Sequence, residues 1–188
     1  MSARAILAAA GVLALAAAAT AAGSARYHGR RFPDGAPPGT TGGFGEPTCI
    51  MCHLGAAPND PAGSLTIEGL PGRYTPGQAY RLIVRLRRAD LAAAGFQLSA
   101  RTAAGAQAGA LAGVDSSTEI QTVASTGIQY AGHSRAGSGP GAAEWAVTWT
   151  APRSAGPITF SAAANAGNAD ASPLGDYVYS IARTTQAP

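Results

Sequence analysis

The only two cysteines of the chain stand three positions apart and are followed directly by a histidine, in Cys49-Ile50-Met51-Cys52-His53. This is the C-x-x-C-H pattern of covalent haem attachment. On a helical turn the two sulfurs project from one side of the backbone, where they can reach the vinyl groups of one porphyrin as thioethers. The adjoining His53 can then place an imidazole nitrogen on the iron. The expected cofactor is therefore one covalent haem c, anchored by Cys49 and Cys52, with His53 as the proximal axial ligand.

Other chemistries explain fewer of these residues. A local Cys49-Cys52 disulfide needs no cofactor and suits an exported chain, but it leaves His53 without a role. Tetrahedral zinc wants a fourth ligand, and a second Cys or His pair is missing. A mononuclear copper site would draw on Cys, His and Met51. In the haem reading Met51 is tethered on the proximal side, so it packs against the ring rather than ligating from the far face.

Iron has a second axial position, and outside the motif the histidines are His28 and His133. His133, in Ala131-Gly132-His133-Ser134-Arg135, is the preferred distal iron ligand. It is expected in a loop just past a strand ending at Tyr130, where Gly132 and Gly137 let the backbone approach a flat ring. The competing reading is a surface loop histidine with no ligand. His28 lies in an extended leader and would lose more entropy on binding. Two imidazoles would give a lower potential than a His/Met pair. Arg73, Arg81, Arg135 and Arg153 are available to pair with propionates. The segment Asn165-Ala166-Gly167-Asn168-Ala169-Asp170, with Asp176, reads as Asx turns, a calcium-type oxygen cluster being the alternative.

The elements that must position these residues follow an address. Arg4 precedes an apolar run from Ala5 to Ala19 that ends in Ala19-Thr20-Ala21, a small-x-small cleavage pattern. Residues 1–22 read as a secretory signal peptide, with an uncleaved anchor as the competing reading. Once it is removed no membrane span is expected, and the protein is expected to be exported, periplasmic or extracellular. Residues 23–62 form an irregular leader, marked by Pro33, Pro37, Pro38 and Pro47, that carries the C-x-x-C-H segment. Residues 63–184 form the folded domain.

Composition narrows the fold and the partners. Of 188 residues, 12% are charged, while Gly (25) and Pro (13) are abundant enough to make turns frequent and long helices poor. All 13 basic residues are Arg and the formal charge is +3, too sparse a basic face for nucleic acid. After residue 63 short runs alternate apolar and polar residues, separated by Gly and Pro. Tyr80, Leu82, Val84 and Leu86 alternate with Arg81, Ile83, Arg85 and Arg87; Trp145, Val147 and Trp149 and then Tyr177, Tyr179 and Ile181 repeat the pattern. Further strands are expected at 65–68, 94–101, 110–114, 119–123, 128–130 and 157–163. About nine short strands with short connections predict an all-β fold, an antiparallel β-sandwich that buries both Trp rings with Phe96 and Phe160.

The order of several patches resembles a family. Gly45-Glu46-Pro47-Thr48-Cys49 through His53, Leu70-Pro71, Tyr74-Thr75-Pro76-Gly77-Gln78 leading to Tyr80, Gly95-Phe96-Gln97-Leu98, His133, Trp149-Thr150-Ala151-Pro152 and the stretch from Asn165 to Asp176 resemble bacterial exported proteins with a Reeler-like (reelin-type) β-sandwich preceded by C-x-x-C-H. The likeness spans roughly Gly42 to Ile181. It implies a monohaem c-type centre on an immunoglobulin-like sandwich, with a histidine at the place of His133 as part of the pattern. The expected function is one-electron transfer to a redox partner protein. No catalytic base, nucleophile or phosphate loop is legible, so an enzyme is not expected. The alternative is an extracellular binding or adhesion module whose cysteines form a disulfide.

Overall fold

The computed structural model describes residues 35–135, 140–154 and 156–187. The expected signal peptide, His28 and Gly137 lie outside the described residues. Among the described residues, ten strands follow a single 3-10 turn at Cys49–Met51: β1 (Leu54–Gly55), β2 (Gly63–Glu68), β3 (Ala79–Arg88), β4 (Ala93–Thr102), β5 (Ala110–Gly113), β6 (Thr118–Thr122), β7 (Gln129–His133), β8 (Ala142–Thr150), β9 (Ile158–Gly167) and β10 (Leu174–Thr185). One sheet has the order β1-β10-β9-β4-β7-β6 and the other β2-β3-β8-β5. All strand pairs are antiparallel except β1 with β10. The fold is the expected β-sandwich, and each expected strand is present, with shifted ends.

The sandwich closes because alternation along each strand sends one apolar row inward. Leu82, Val84 and Leu86 of β3 and Trp145, Val147 and Trp149 of β8 meet Phe96, Leu98 and Ala100 of β4 and Phe160, Ala162 and Ala164 of β9. The Phe96 and Trp145 rings stack with centroids 4.5 Å apart, and Trp149 meets Phe160 edge-on at 4.9 Å. The indole N–H of Trp149 donates to the carbonyl of Ala108 at 2.9 Å, so this buried donor is satisfied. Burying side chains of this size contributes roughly 1.5–3 kcal/mol each.

The alternate rows of the six-stranded sheet face outward, and residues 35–53 lie on them. Gln97 of β4 receives the segment: its Oε1 accepts from the amides of Gly39 (2.9 Å) and Thr40 (2.7 Å), and its Nε2 donates to the carbonyl of Pro37 (3.0 Å). Arg101, two residues further on the same face, forms an ion pair with Glu46, which also accepts from the Tyr130 hydroxyl. Thr40 and Thr41 are consequently buried. A leader without apolar clusters thus docks by polar contacts, which its sequence pattern does not display.

Two local expectations are corrected. His133 is the last residue of β7 rather than part of a loop beyond Tyr130. Asn165 lies within β9 and Asp176 within β10, so neither belongs to an Asx turn. The turn between them does form: Asn168 Oδ1 accepts from Asp170 N (3.1 Å) and Asp170 Oδ1 from Ser172 N (2.7 Å). The strand expected at 157–163 runs on through Gly167 because it pairs with β4 on one side and β10 on the other, which outweighs the helix propensity of its alanines.

Candidate functional site

The C-x-x-C-H segment is built by one tight turn. Thr48 caps it, its side-chain oxygen accepting from the Ile50 amide at 3.4 Å. The amides of Cys52 and His53 both donate to the carbonyl of Cys49, at 3.1 and 2.9 Å. Both cysteines are free thiols and half-buried. The atoms packed around the Cys49 sulfur nonetheless push its thiol up to about 12 through desolvation, with a smaller contribution from neighbouring Cys52. At neutral pH Cys49 is therefore a protonated thiol and not an activated nucleophile.

Immediately after the motif the chain joins the sheet. The Leu54 amide donates to the Pro173 carbonyl at 2.7 Å, and β1 runs parallel to β10 with Leu54 opposite Leu174 and Gly55 opposite Asp176. A side chain at Gly55 would run into the Asp176 backbone, so glycine is needed for this approach. Asn59 extends the attachment: its amide donates to the Val178 carbonyl at 2.9 Å, and its Oδ1 accepts from the Ser180 amide at 2.8 Å.

That pairing brings His53 against Asp176, 123 residues away, with Nδ1 and Oδ2 2.5 Å apart. The His53 side chain is 36% exposed and that of Asp176 3%. Burial pushes the Asp176 carboxyl up, but hydrogen bonds from His53, from Asn165 Nδ2 (3.0 Å) and from the Asn168 amide (3.4 Å) outweigh it and hold the group below the ordinary aspartate value. Asp176 is thus a carboxylate that accepts the Nδ1 proton of His53, a short charge-assisted bond. Such a bond fixes the tautomer and leaves Nε2 bare for a metal.

His133 occupies the same sheet in a different way. Its ring sits where a side chain of Gly95 would stand: a Cβ there would lie 2.5 Å from His133 Cε1. The ladder between β4 and β7 pairs Gln97 with Gly132 and Leu98 with Ala131, and beyond it the imidazole takes over. Its Nδ1 lies 3.1 Å from the amide and 3.3 Å from the carbonyl oxygen of Phe96, so either tautomer finds a backbone partner. Gly95 is paired across the sheet with Asn165, whose amide group reaches Asp176. His133, Asn165, Asp176 and His53 therefore follow one another across the outer face of β4, β9 and β10. Asn165 Oδ1 is buried there without a hydrogen-bond partner.

The surface around the motif is apolar. Among the described residues six large apolar side chains are exposed, and four of them, Ile50, Met51, Leu54 and Leu174, belong to the C-x-x-C-H segment and the β1–β10 pair. Met51 is 45% exposed. Among the described residues no cluster of three or more His, Cys, Asp or Glu is arranged around a common metal position. A donor set of Cys, Cys and one His in sequence, an orphaned amide oxygen and an uncovered apolar rim fit a porphyrin, which brings its own four equatorial nitrogens.

Of the arginines expected near propionates, Arg135 follows His133 and is exposed; Arg73 is exposed and forms a β-bridge with Gln186; Arg81 and Arg153 are exposed as well. None is brought to His53 by a contact. Asp176 is the residue that sequence reasoning missed, since Gly175-Asp176 reads locally as a turn. The alternation of Tyr177, Tyr179 and Ile181, extended one residue back, would have placed it on the outward row.

Known structures share this architecture. The Reelin-N domain of F-spondin is similar over 74% of this chain and 95% of its own, with 20% sequence identity and a TM-score of 0.51. The reeler domain of human F-spondin is similar over 72% of this chain and 93% of its own, with 21% identity and a TM-score of 0.46. No family model matches the sequence, and no curated protein does. The chain is thus a Reeler-like β-sandwich, with a C-x-x-C-H segment laid on the outer face of its six-stranded sheet. Among the described residues no helix is long and apolar enough to cross a membrane.

Proposed function

We propose that this protein is an exported, monohaem c-type cytochrome-like carrier acting in one-electron transfer. The observation that carries the reading is the pairing of His53 Nδ1 with buried Asp176, which leaves Nε2 open one residue after Cys52 in C-x-x-C-H. Cys49 and Cys52 would hold haem c as thioethers, His53 would ligate its iron through Nε2, and His133 would be the second histidine to hold the iron. The bound haem supplies the one-electron iron couple. The chain supplies the rest: β1 and β10 fix the approach of His53, and Asp176 holds the Nδ1 proton. Ile50, Met51, Leu54 and Leu174 would form an apolar rim against the ring. Cys49 and Cys52 are both free thiols, the form from which thioether links are made. A redox partner protein follows from this role.

The test is production of the exported chain together with the cytochrome c maturation machinery, read by intact mass and pyridine haemochrome spectrum. A mass increased by one haem and a covalent c-type band support the proposal. A colourless product two mass units below the reduced chain means a Cys49-Cys52 disulfide and a binding or adhesion module instead.

A further inference from the structure

We infer that Asp176 is the positioning residue of the His53 centre: clamped between β9 and β1, it sets which ring nitrogen of His53 carries the proton and places a negative charge behind the imidazole. The inference deepens the haem reading and rests on it for the consequence at iron, while its effect on the ring is a property of the polypeptide alone.

The geometry singles out Asp176 because its position is over-determined. The parallel register puts it opposite Gly55, two residues after His53, where any side chain larger than hydrogen would collide with the Asp176 backbone. Asn165 Nδ2 holds the same Oδ2 that faces His53, at 3.0 Å, and the Asn168 amide holds Oδ1 at 3.4 Å. Both carboxylate oxygens thus have donors fixed by β9 and its end, and the group cannot swing to meet His53 at any other angle. A buried ion is costly unless it is paired and hydrogen-bonded, so a carboxylate 3% exposed on a sheet face requires a reason to be there. A mere staple between segments would be served as well by an amide, and either ring nitrogen would do. An ionised acceptor on Nδ1 serves a narrower purpose: it leaves Nε2 as the lone-pair nitrogen and makes the imidazole a stronger electron donor. Carboxylate–histidine–metal arrays use this arrangement, and in a haem centre a more basic axial imidazole favours the oxidised metal.

The experiment compares the wild-type chain with Asp176→Asn and Asp176→Ala in two forms. In the first, the full chain is exported without the maturation machinery, and the His53 ring nitrogens are followed by nitrogen-15 NMR at alkaline pH. The wild type should show a protonated Nδ1 and a bare Nε2. Asp176→Ala should shift the proton mainly to Nε2, the tautomer preferred by free imidazole side chains. Asp176→Asn, which keeps an acceptor oxygen but not the charge, should retain the Nδ1 proton with its resonance moved upfield. In the second form, haem-loaded protein is titrated potentiometrically: Asp176→Asn should shift the oxidised/reduced ratio at fixed potential about tenfold toward reduced, which is about 59 mV for one electron. Asn165→Ala, which loosens Asp176 without removing it, should move both readouts in the same direction by less.

An unchanged tautomer in Asp176→Ala, or an Nε2-protonated ring in the wild type, overturns the inference. So does an unaltered potential in Asp176→Asn. Should Asp176→Ala fail to fold, the Asp176→Asn pair of readouts decides. If the wild type never acquires haem the proposed function fails, and the nitrogen-15 result on the unloaded chain still decides the role of Asp176.

Discussion

His53 and His133 lie on the outer face of one sheet, yet they are held by different physics. His53 belongs to an irregular segment, keeps about a third of its side chain in water and is gripped at Nδ1 by a buried carboxylate. His133 terminates β7, is buried, fills the place of a missing side chain at Gly95 and is met at Nδ1 by backbone groups of Phe96. The first arrangement sets a buried carboxylate behind one imidazole. The second makes the imidazole part of the sheet's own hydrogen bonding, taking over from the strand ladder where β4 and β7 diverge. The carboxylate orientation is thus confined to His53, while His133 is built into the hydrogen bonding of the sheet.

The sharpest way to break this contrast is to remove the anchors. Replacing Cys49 and Cys52 together by Ala should abolish covalent haem altogether while the far-ultraviolet circular dichroism of the sandwich persists; His133→Ala should leave attachment intact. Denaturing gels stained for haem check both, and a double cysteine variant that keeps its haem through denaturation would refute the assignment.

A second contrast is spectroscopic. In haem-loaded protein His133→Ala should convert a low-spin spectrum to a high-spin one if the scaffold histidine reaches iron, and His28→Ala should not. An unchanged spectrum for His133→Ala would confine that residue to the sheet and leave the second axial position open, with ready uptake of carbon monoxide by the reduced protein.

Packing provides a smaller effect. Gly95→Ala forces a methyl group into the His133 ring and should cost about 1–3 kcal/mol in urea unfolding, as overpacking of a tight site does. The penalty should shrink in a His133→Ala background, because the double mutant removes the clash. Equal penalties in both backgrounds would mean that Gly95 is needed for another reason.

The smallest expected effect concerns the far end of the His53 segment, where Asp60 pairs with Arg88 at 2.9 Å. A hydrogen bond from the Ala62 amide, followed by that from Arg88, holds the Asp60 carboxyl below its ordinary value. A carboxylate depressed in the folded state stabilises above its unfolded pKa of about 3.9 and loses that contribution as pH falls through the lower folded value. The difference in thermal midpoint between wild type and Asp60→Asn should thus be present at neutral pH and vanish in acid. A difference that is independent of pH would show that the ion pair contributes nothing beyond its hydrogen bond.

Much of the scaffold was legible because it is written in local periodicity. The alternation from Tyr80 to Arg87 and from Trp145 to Thr150 predicts both buried rows, and Phe96 and Phe160 meet the Trp rings as that pattern requires. The length of β9 was less legible, since Ala-rich sequence carries little β signal and its strand state depends on neighbours on both sides. The docking of residues 35–48 was not legible at all. It depends on Gln97, Arg101 and Tyr130, polar residues on an outward row that reads as solvent-facing.

For the site, residue order by itself determined the C-x-x-C-H constellation, because the two sulfurs and the imidazole share one turn of backbone and their spacing is covalent. Only the tertiary structure decided that Asp176 stands behind His53 and that Gly95 lies beneath His133. Those contacts span 123 and 38 positions and depend on strand register, and a slip of one residue would turn each side chain to the opposite face of the sheet. Register is set by the packing of the whole core, and no window of sequence around either histidine contains it.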